Sequence, residues 1–429
     1  MTADEDPLNK SVTASEPTLQ QEPYPRYRWV IIAQLWLHQE LAFLLSSTMG
    51  ILLPAIRADI PFGMLGLGWV GSARSAAQCL NLPSSPFLVR LNPKRLLAIL
   101  LTLMALMILA QSRATSLIWF FSCFVIYAAA VALSGIPSAL MRLQWVPPGE
   151  FATVMGTGLG FAAIVQTLSL MTIPLILKTA SWRTVVTVYG AIVVVLMVLW
   201  LKAGRERITA SYRKGMADST GLAALKGALR HKEFLLVGLA MMGGATAYVS
   251  TMLFLPTHFV EERGFSLQTA GFINSLMPLG GMVASFTVGP FSDRIGRRKP
   301  TIWPLGFVLP ILYLFLLLGP AWPLLLAGAA FVLGYAAYAP FPALQTIPYE
   351  LPEVAPSEVT IGLSLAQTVM MAGNFVGPIV VGAVADVTGS VRAGLLCLCF
   401  LPVILALICL FLPETGPIVS RRRRESLSS

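Results

Sequence analysis

Charge is scarce in this chain. Only 12% of its 429 residues are charged and three are His, whereas a soluble globular domain carries about 25% charged residues. With a mean hydropathy of +0.75, most of the chain must lie in lipid. Cysteine is sparse too: Cys79, Cys123, Cys397, Cys399 and Cys409 all fall in apolar stretches without metal-ligand spacing. They read as small packing residues, so neither a disulfide framework nor a metal site is expected. No G-x-x-x-x-G-K-[ST] loop and no redox-cofactor motif occurs, which argues against a primary pump or a membrane enzyme and leaves no cofactor to expect. Residues 1–25 lack the basic start and apolar core of a signal peptide; they read as a disordered cytoplasmic tail, and the first apolar run is retained.

What the chain has in abundance is apolar runs long enough for a bilayer core of about 30 Å. They lie near 29–54, 67–89, 96–112, 117–141, 153–177, 184–202, 233–258, 268–290, 301–319, 323–346, 359–385 and 392–412. Twelve spans predict an all-α membrane protein. A net charge of +10 could suggest a nucleic-acid partner, but the cations sit in short connections, where they orient helices. Arg26, Arg28, Arg90, Lys94, Arg95, the 202–232 stretch, the 294–299 turn and Arg421 to Arg424 fall on one side; Arg57, Arg113, Lys178, Arg183, Arg263 and Arg392 fall on the other. Both termini are therefore expected in the cytoplasm. Polar residues 203–232 divide the spans six and six, giving a bundle over 26–202, a linker, a bundle over 233–415 and a basic tail over 416–429.

The halves echo each other. A shift of 204 residues lays Pro86-Phe87 through Lys94-Arg95 on Pro290-Phe291 through Arg298-Lys299, and a second echo, at a shift of 208, joins Pro148-Gly149-Glu150 to Pro356-Ser357-Glu358. Such a parallel repeat implies a pseudo-two-fold axis along the membrane normal. The stretch from Gly289 to Lys299 also matches every fixed position of G-x-x-x-D-R-x-G-R-R-[KR]. This resembles the loop signature of the major facilitator superfamily, the large class of twelve-helix secondary transporters, and the resemblance covers essentially the whole chain. It implies two six-helix bundles rocking about a central cavity lined by spans 1, 4, 7 and 10. It also implies that Asp293, Arg294, Gly296, Arg297 and Arg298 form a latch on the cytoplasmic side in the outward-facing state.

Polar residues at helical spacing mark the faces that avoid lipid. In span 1, Trp36, Glu40, Phe43 and Ser47 share a face, and Glu40 lies near the bilayer centre. A carboxylate there costs about 2.5–3.5 kcal/mol or more unless paired, protonated or wetted. It reads as a proton-coupling group or as a structural pair. Its expected partner is Arg74 of span 2, which starts a stripe with Gln78 and Asn81 at matching depth and is the leading anion contact; the two are expected within hydrogen-bonding reach in at least one state. His38 points about 160 degrees away from Glu40 on an ideal helix and suits packing better than proton transfer. Further substrate contacts are expected from Gln78, Tyr127, Tyr248, Asn274, Tyr338, Gln345 and Asn374, although the aromatic stripes would serve helix packing equally well. Arg142, at the end of span 4, suits snorkelling or a gate.

These features predict a secondary active transporter working by alternating access, proton-coupled, that carries a small organic acid or anion across a bacterial inner membrane as a monomer. Its partners would be substrate, protons and lipid. The resemblance is closer in general character to cyanate-permease-like importers. Arginines in both halves mark nitrate-type members, and span 8 offers none opposite Arg74. Export of hydrophobic compounds by a drug/proton antiporter ranks second, since the G-x-x-x-G-P-x-x-G-G-like run of that group is missing from span 5. A non-transporting sensor on the same fold ranks third.

Overall fold

The computed structural model describes residues 25–88, 90–147, 150–207, 230–351, 354, 356–416 and 418, and within these every regular element is helical. The expected tails and most of the 203–232 linker lie outside the described residues. The first six rods are α1 (Arg28–Asp59), α2 (Met64–Gln78, resumed as Asn81–Leu88), α3 (Pro93–Gln111), α4 (Leu117–Trp145), α5 (Phe151–Ile176) and α6 (Trp182–Ala203). The second six are α7 (Lys232–Thr257, continued by a π turn His258–Glu262), α8 (Leu267–Ile295), α9 (Trp303–Leu318), α10 (Pro323–Tyr338 and Pro340–Glu350), α11 (Pro356–Thr388) and α12 (Val391–Leu398 and Val403–Phe411). Among the described residues, ten stretches are long and apolar enough to cross a membrane; α5 contributes a shorter apolar stretch, Gly160–Ile176, and α2 is broken after Gln78.

A helix satisfies its own backbone, which lipid cannot do, and the ends here are closed by local chemistry. Asn92, Ser116, Ser181 and Ser390 accept hydrogen bonds from the amides of Arg95, Trp119, Thr184 and Ala393, three residues on in each case. These N-caps start α3, α4, α6 and α12 where polar loop meets apolar run. Large apolar side chains such as Ile118, Leu324, Val387 and Phe411 stay exposed, as a lipid-facing belt requires and a water-soluble surface would not.

Helix pairing repeats with a shift of six. α1 packs on α5 and α6 as α7 packs on α11 and α12; α2 packs on α4 as α8 packs on α10; α3 packs on α4 and α6 as α9 packs on α10 and α12. Polar ties repeat with it. Arg28 pairs with Glu150 at 3.1 Å, and His231 lies 3.8 Å from Glu358, so each half joins the start of its first rod to the start of its fifth. Glu206 accepts from the Lys94 amide at 3.2 Å, and Glu414 accepts from the Arg298 amide at 2.9 Å, each carboxylate following a sixth rod and capping a third. Asp59 pairs with Arg183, while Glu262 accepts from the Arg392 amide at 3.1 Å.

The surface that carries the start of α1, the end of α6 and the start of α7 is the linker side; the opposite surface is the distal side. The halves meet through α2 against α11, α5 against α8 and α1 against α7. The first contact is close because a Cβ at Gly68 would collide with the Pro378 carbonyl, and one at Gly382 with the Met64 carbonyl. Distal bonds tie the halves together. Arg57 pairs with Glu261 at 2.7 Å, Gln268 donates to the Pro174 carbonyl at 3.0 Å, and Asp386 accepts from the amides of Met64 and Leu65 at 2.7 and 2.9 Å.

Candidate functional site

Between the halves lie two adjoining chambers. The inner one, about 280 Å³, is bounded by Ser46, Arg74, Gln78 and Gln166 from the first half and by Tyr248, Tyr338 and Asn374 from the second. A larger chamber of about 540 Å³ extends toward the linker side, past Glu40, Arg142 and Ser285. Arg74, Gln78, Gln166 and Tyr338 line both. Arg74 is thus at the junction, and it is the one charged side chain among the described residues that line the inner chamber.

Each side chain is delivered by its helix. Glu40 and Ser47 are seven residues apart on α1, about two turns, so the first faces the linker-side chamber and the second the inner one. On α2, Arg74 and Gln78 follow at one-turn spacing. Glu40 has two cationic neighbours, Arg74 and Arg142, and Arg142 donates to the Gln39 side chain. One carboxylate therefore faces two guanidinium groups in a low-dielectric space, where such charges interact strongly. A proton on Glu40 would remove a negative charge from beside both cations and favour an anion there.

The structure brings Glu40, Arg74, Gln78, Tyr248, Tyr338 and Asn374 to this cavity. Tyr248 and Tyr338 join α7 to α10 with ring centroids 5.3 Å apart, edge to face. Tyr127 is fully buried and lines neither chamber; it stands behind Arg74 as one of its electrostatic neighbours. Asn274 is also fully buried, and its Nδ2 donates to the Met252 carbonyl at 3.2 Å, tying α8 to α7. Gln345 is exposed on the second segment of α10, away from both chambers. His38 packs edge-on against Trp200 at 5.2 Å, with Nε2 3.2 Å from the Leu196 carbonyl. Sequence reasoning passed over Gln166, whose polar side chain within an apolar run was the available signal.

In the basic loop the Asp293 side chain lies outside the described residues. Arg294 and Arg297 are exposed. Gly296 ends α8 with φ +69°, in the left-handed region that favours glycine, and its amide donates to the Ser292 carbonyl at 3.0 Å. Arg298 points inward: Nη2 lies 2.6 Å from Glu350 Oε1 and Nη1 donates to Ser292 Oγ at 3.1 Å. With the Glu414 carboxylate accepting from the Arg298 amide, these contacts bind α8, α10 and the segment after α12 within the second half.

The Major Facilitator Superfamily model matches residues 35–354 and 251–427. The chain is similar to the protein named Probable galactarate/D-glucarate transporter GudP of Bacillus subtilis (strain 168), at 23% identity over 303 residues, covering 63% of this chain and 66% of that one. It thus spans just under two thirds of that relative's length. The Uncharacterized transporter YycB of the same organism is 22% identical over 284 residues, covering 65% and 68%. Among solved structures, the nucleoside transporter NupG superposes with a TM-score of 0.73 at 18% identity, covering 90% of this chain and 99% of that one. A bacterial homolog of the human lysosomal transporter Spinster gives 0.73 at 15% identity, covering 93% and 96%. At these identities the structural likeness speaks to the fold.

Proposed function

The chain belongs to the Major Facilitator Superfamily, and we propose that it carries a small organic anion by alternating access, coupled to protons. The observation that carries this reading is Arg74, a guanidinium at the junction of two chambers enclosed by both halves, with Glu40 as its acidic neighbour. Anion binding is favoured when Glu40 takes a proton, because the cavity then gains one unit of uncompensated positive charge. Departure of substrate and proton restores the internal balance. Loaded with both or empty of both, the cavity holds the same net charge, whereas taking up either one alone changes it.

Distal bonds around Asp386 and Arg57 close one end of the cavity, and alternation requires them to break while the linker side closes. By the Lys/Arg asymmetry the linker side faces the cytoplasm, in a bacterial inner membrane. The latch role of Asp293 and its neighbours belongs to the opposite, outward-facing state. Export of lipophilic cations fits this cavity less well, since Arg74 repels them.

A thermal-shift screen of the purified chain tests the reading, because a ligand that binds the folded state raises apparent stability by mass action. Small carboxylates are expected to raise the melting temperature. Stabilisation by lipophilic cations and by no carboxylate would overturn it.

A further inference from the structure

The walls of the inner chamber hold amide groups whose hydrogen-bonding capacity is poorly used. Asn374 is buried, with 5% of its surface accessible; its Nδ2 reaches only the Met371 sulfur at 3.9 Å, and its Oδ1 has no partner among the described residues. Gln166, on the opposite half, directs its Nε2 to the Met252 sulfur, also at 3.9 Å. A thioether is a weak acceptor. Two buried or half-buried amides, one on α5 and one on α11, thus face a common space with their stronger bonds unmade. A purely apolar cargo would favour leucine or methionine at both positions, since an unsatisfied buried amide costs more than an apolar group of the same shape.

Charge narrows the cargo further. Arg74 is the only charged group among the described residues lining the inner chamber, whereas Arg142 lines the linker-side chamber alone. One cation in the inner chamber suits one carboxylate, and a second carboxylate reaching into that chamber would have no cation there.

Resting on the reading that this cavity takes an organic anion, we infer that its substrate is a polyhydroxy monocarboxylate, held at its acid end by Arg74 and recognised along its hydroxylated chain by Gln166 and Asn374. Hydroxyls both donate and accept, so they can serve Asn374 Oδ1 and the two amide N–H donors alike. Because the amides belong to different halves, the same chain would bridge α5 and α11. A site built to bond hydroxyls discriminates strongly against an analogue lacking them, since its own polar groups then stay unpaired.

The test is calorimetric titration of the full-length purified chain with four probes: D-gluconate, hexanoate of the same chain length, the diacid D-glucarate, and the neutral polyol sorbitol. Gluconate is expected to bind about tenfold or more tightly than hexanoate or glucarate, and sorbitol not to bind. Hexanoate binding as tightly as gluconate would overturn hydroxyl recognition, and tighter glucarate binding would overturn the single-charge argument; either result leaves the anion reading standing. Binding of no carboxylate would overturn the inference, and if the thermal screen also finds none, the anion reading falls with it. Asn374→Leu supplies a second readout, expected to narrow the gap between gluconate and hexanoate. An unchanged gap in a variant that still binds hexanoate would remove Asn374 from the recognition.

Discussion

Asp386, in the last turns of α11, caps the start of α2 across the interface between the halves: its Oδ1 accepts from the Met64 amide at 2.7 Å, and its Oδ2 from the next amide at 2.9 Å. Gly63 makes room for it, since a Cβ there would lie 2.8 Å from Oδ2. A carboxylate at a helix N-terminus satisfies free amides and the positive end of the helix dipole together. Being on opposite halves, the two groups must part whenever the distal side opens.

Asp386→Asn is therefore expected to favour the distal-open state. The loss is about 1 kcal/mol for a solvent-accessible helix-end charge, roughly a fivefold shift in the open-to-closed ratio. Cysteines placed along the distal end of the cavity should label faster from that side in the variant. Unchanged labelling would show that the cap does not bias the equilibrium.

Arg298 and Glu350 form a nearly buried pair, with side-chain exposures of 7% and 17%. Breaking such a pair from one side strands the other charge, at a cost of about 3–5 kcal/mol. Glu350→Gln should lower the melting temperature of the purified protein clearly more than Arg297→Gln, because Arg297 is exposed. Equal melting temperatures would contradict a structural role for the pair.

Asp293→Asn is expected to slow transport while leaving substrate affinity in any one conformation unchanged, because a latch biases an equilibrium without touching the substrate. Wild-type turnover in a folded variant would return the loop to setting topology alone.

Arg74→Ala should weaken anion binding by about 2–5 kcal/mol, as expected for loss of one partner in a dry charged contact. Arg74→Lys should recover only part of that, since an ammonium keeps the charge and loses the planar fork. Titration of the purified variants measures both. Near-wild-type affinity in Arg74→Ala would place the anion elsewhere.

Much of this arrangement is legible in the residues. Glu40 and Arg74 are costly in lipid, and that cost signals a protected face, which the cavity supplies. The correspondence of Glu150 with Glu358 is visible as text and reappears as two equivalent ties, to Arg28 and His231. A polar residue within a span shows only that it avoids lipid, however, and not what it meets. Asn274 carries the same signal as Asn374 and spends it on a neighbouring carbonyl. The roles of Asp386, Glu206 and Glu414 depend on which helix ends the fold brings to them, and local pattern does not encode that. Arg298, expected in the latch, turns inward here to Glu350, a partner 52 residues away that local pattern does not reveal.

The most direct test of proton-coupled anion transport reconstitutes wild type and Glu40→Gln in liposomes and compares uptake of a carboxylate substrate under an imposed pH gradient with exchange at equal pH. Wild type should accumulate substrate uphill. Glu40→Gln should bind and exchange it but lose gradient-driven accumulation, because the amide cannot carry the proton. Accumulation that survives in Glu40→Gln, or is indifferent to the pH gradient in wild type, would contradict the account.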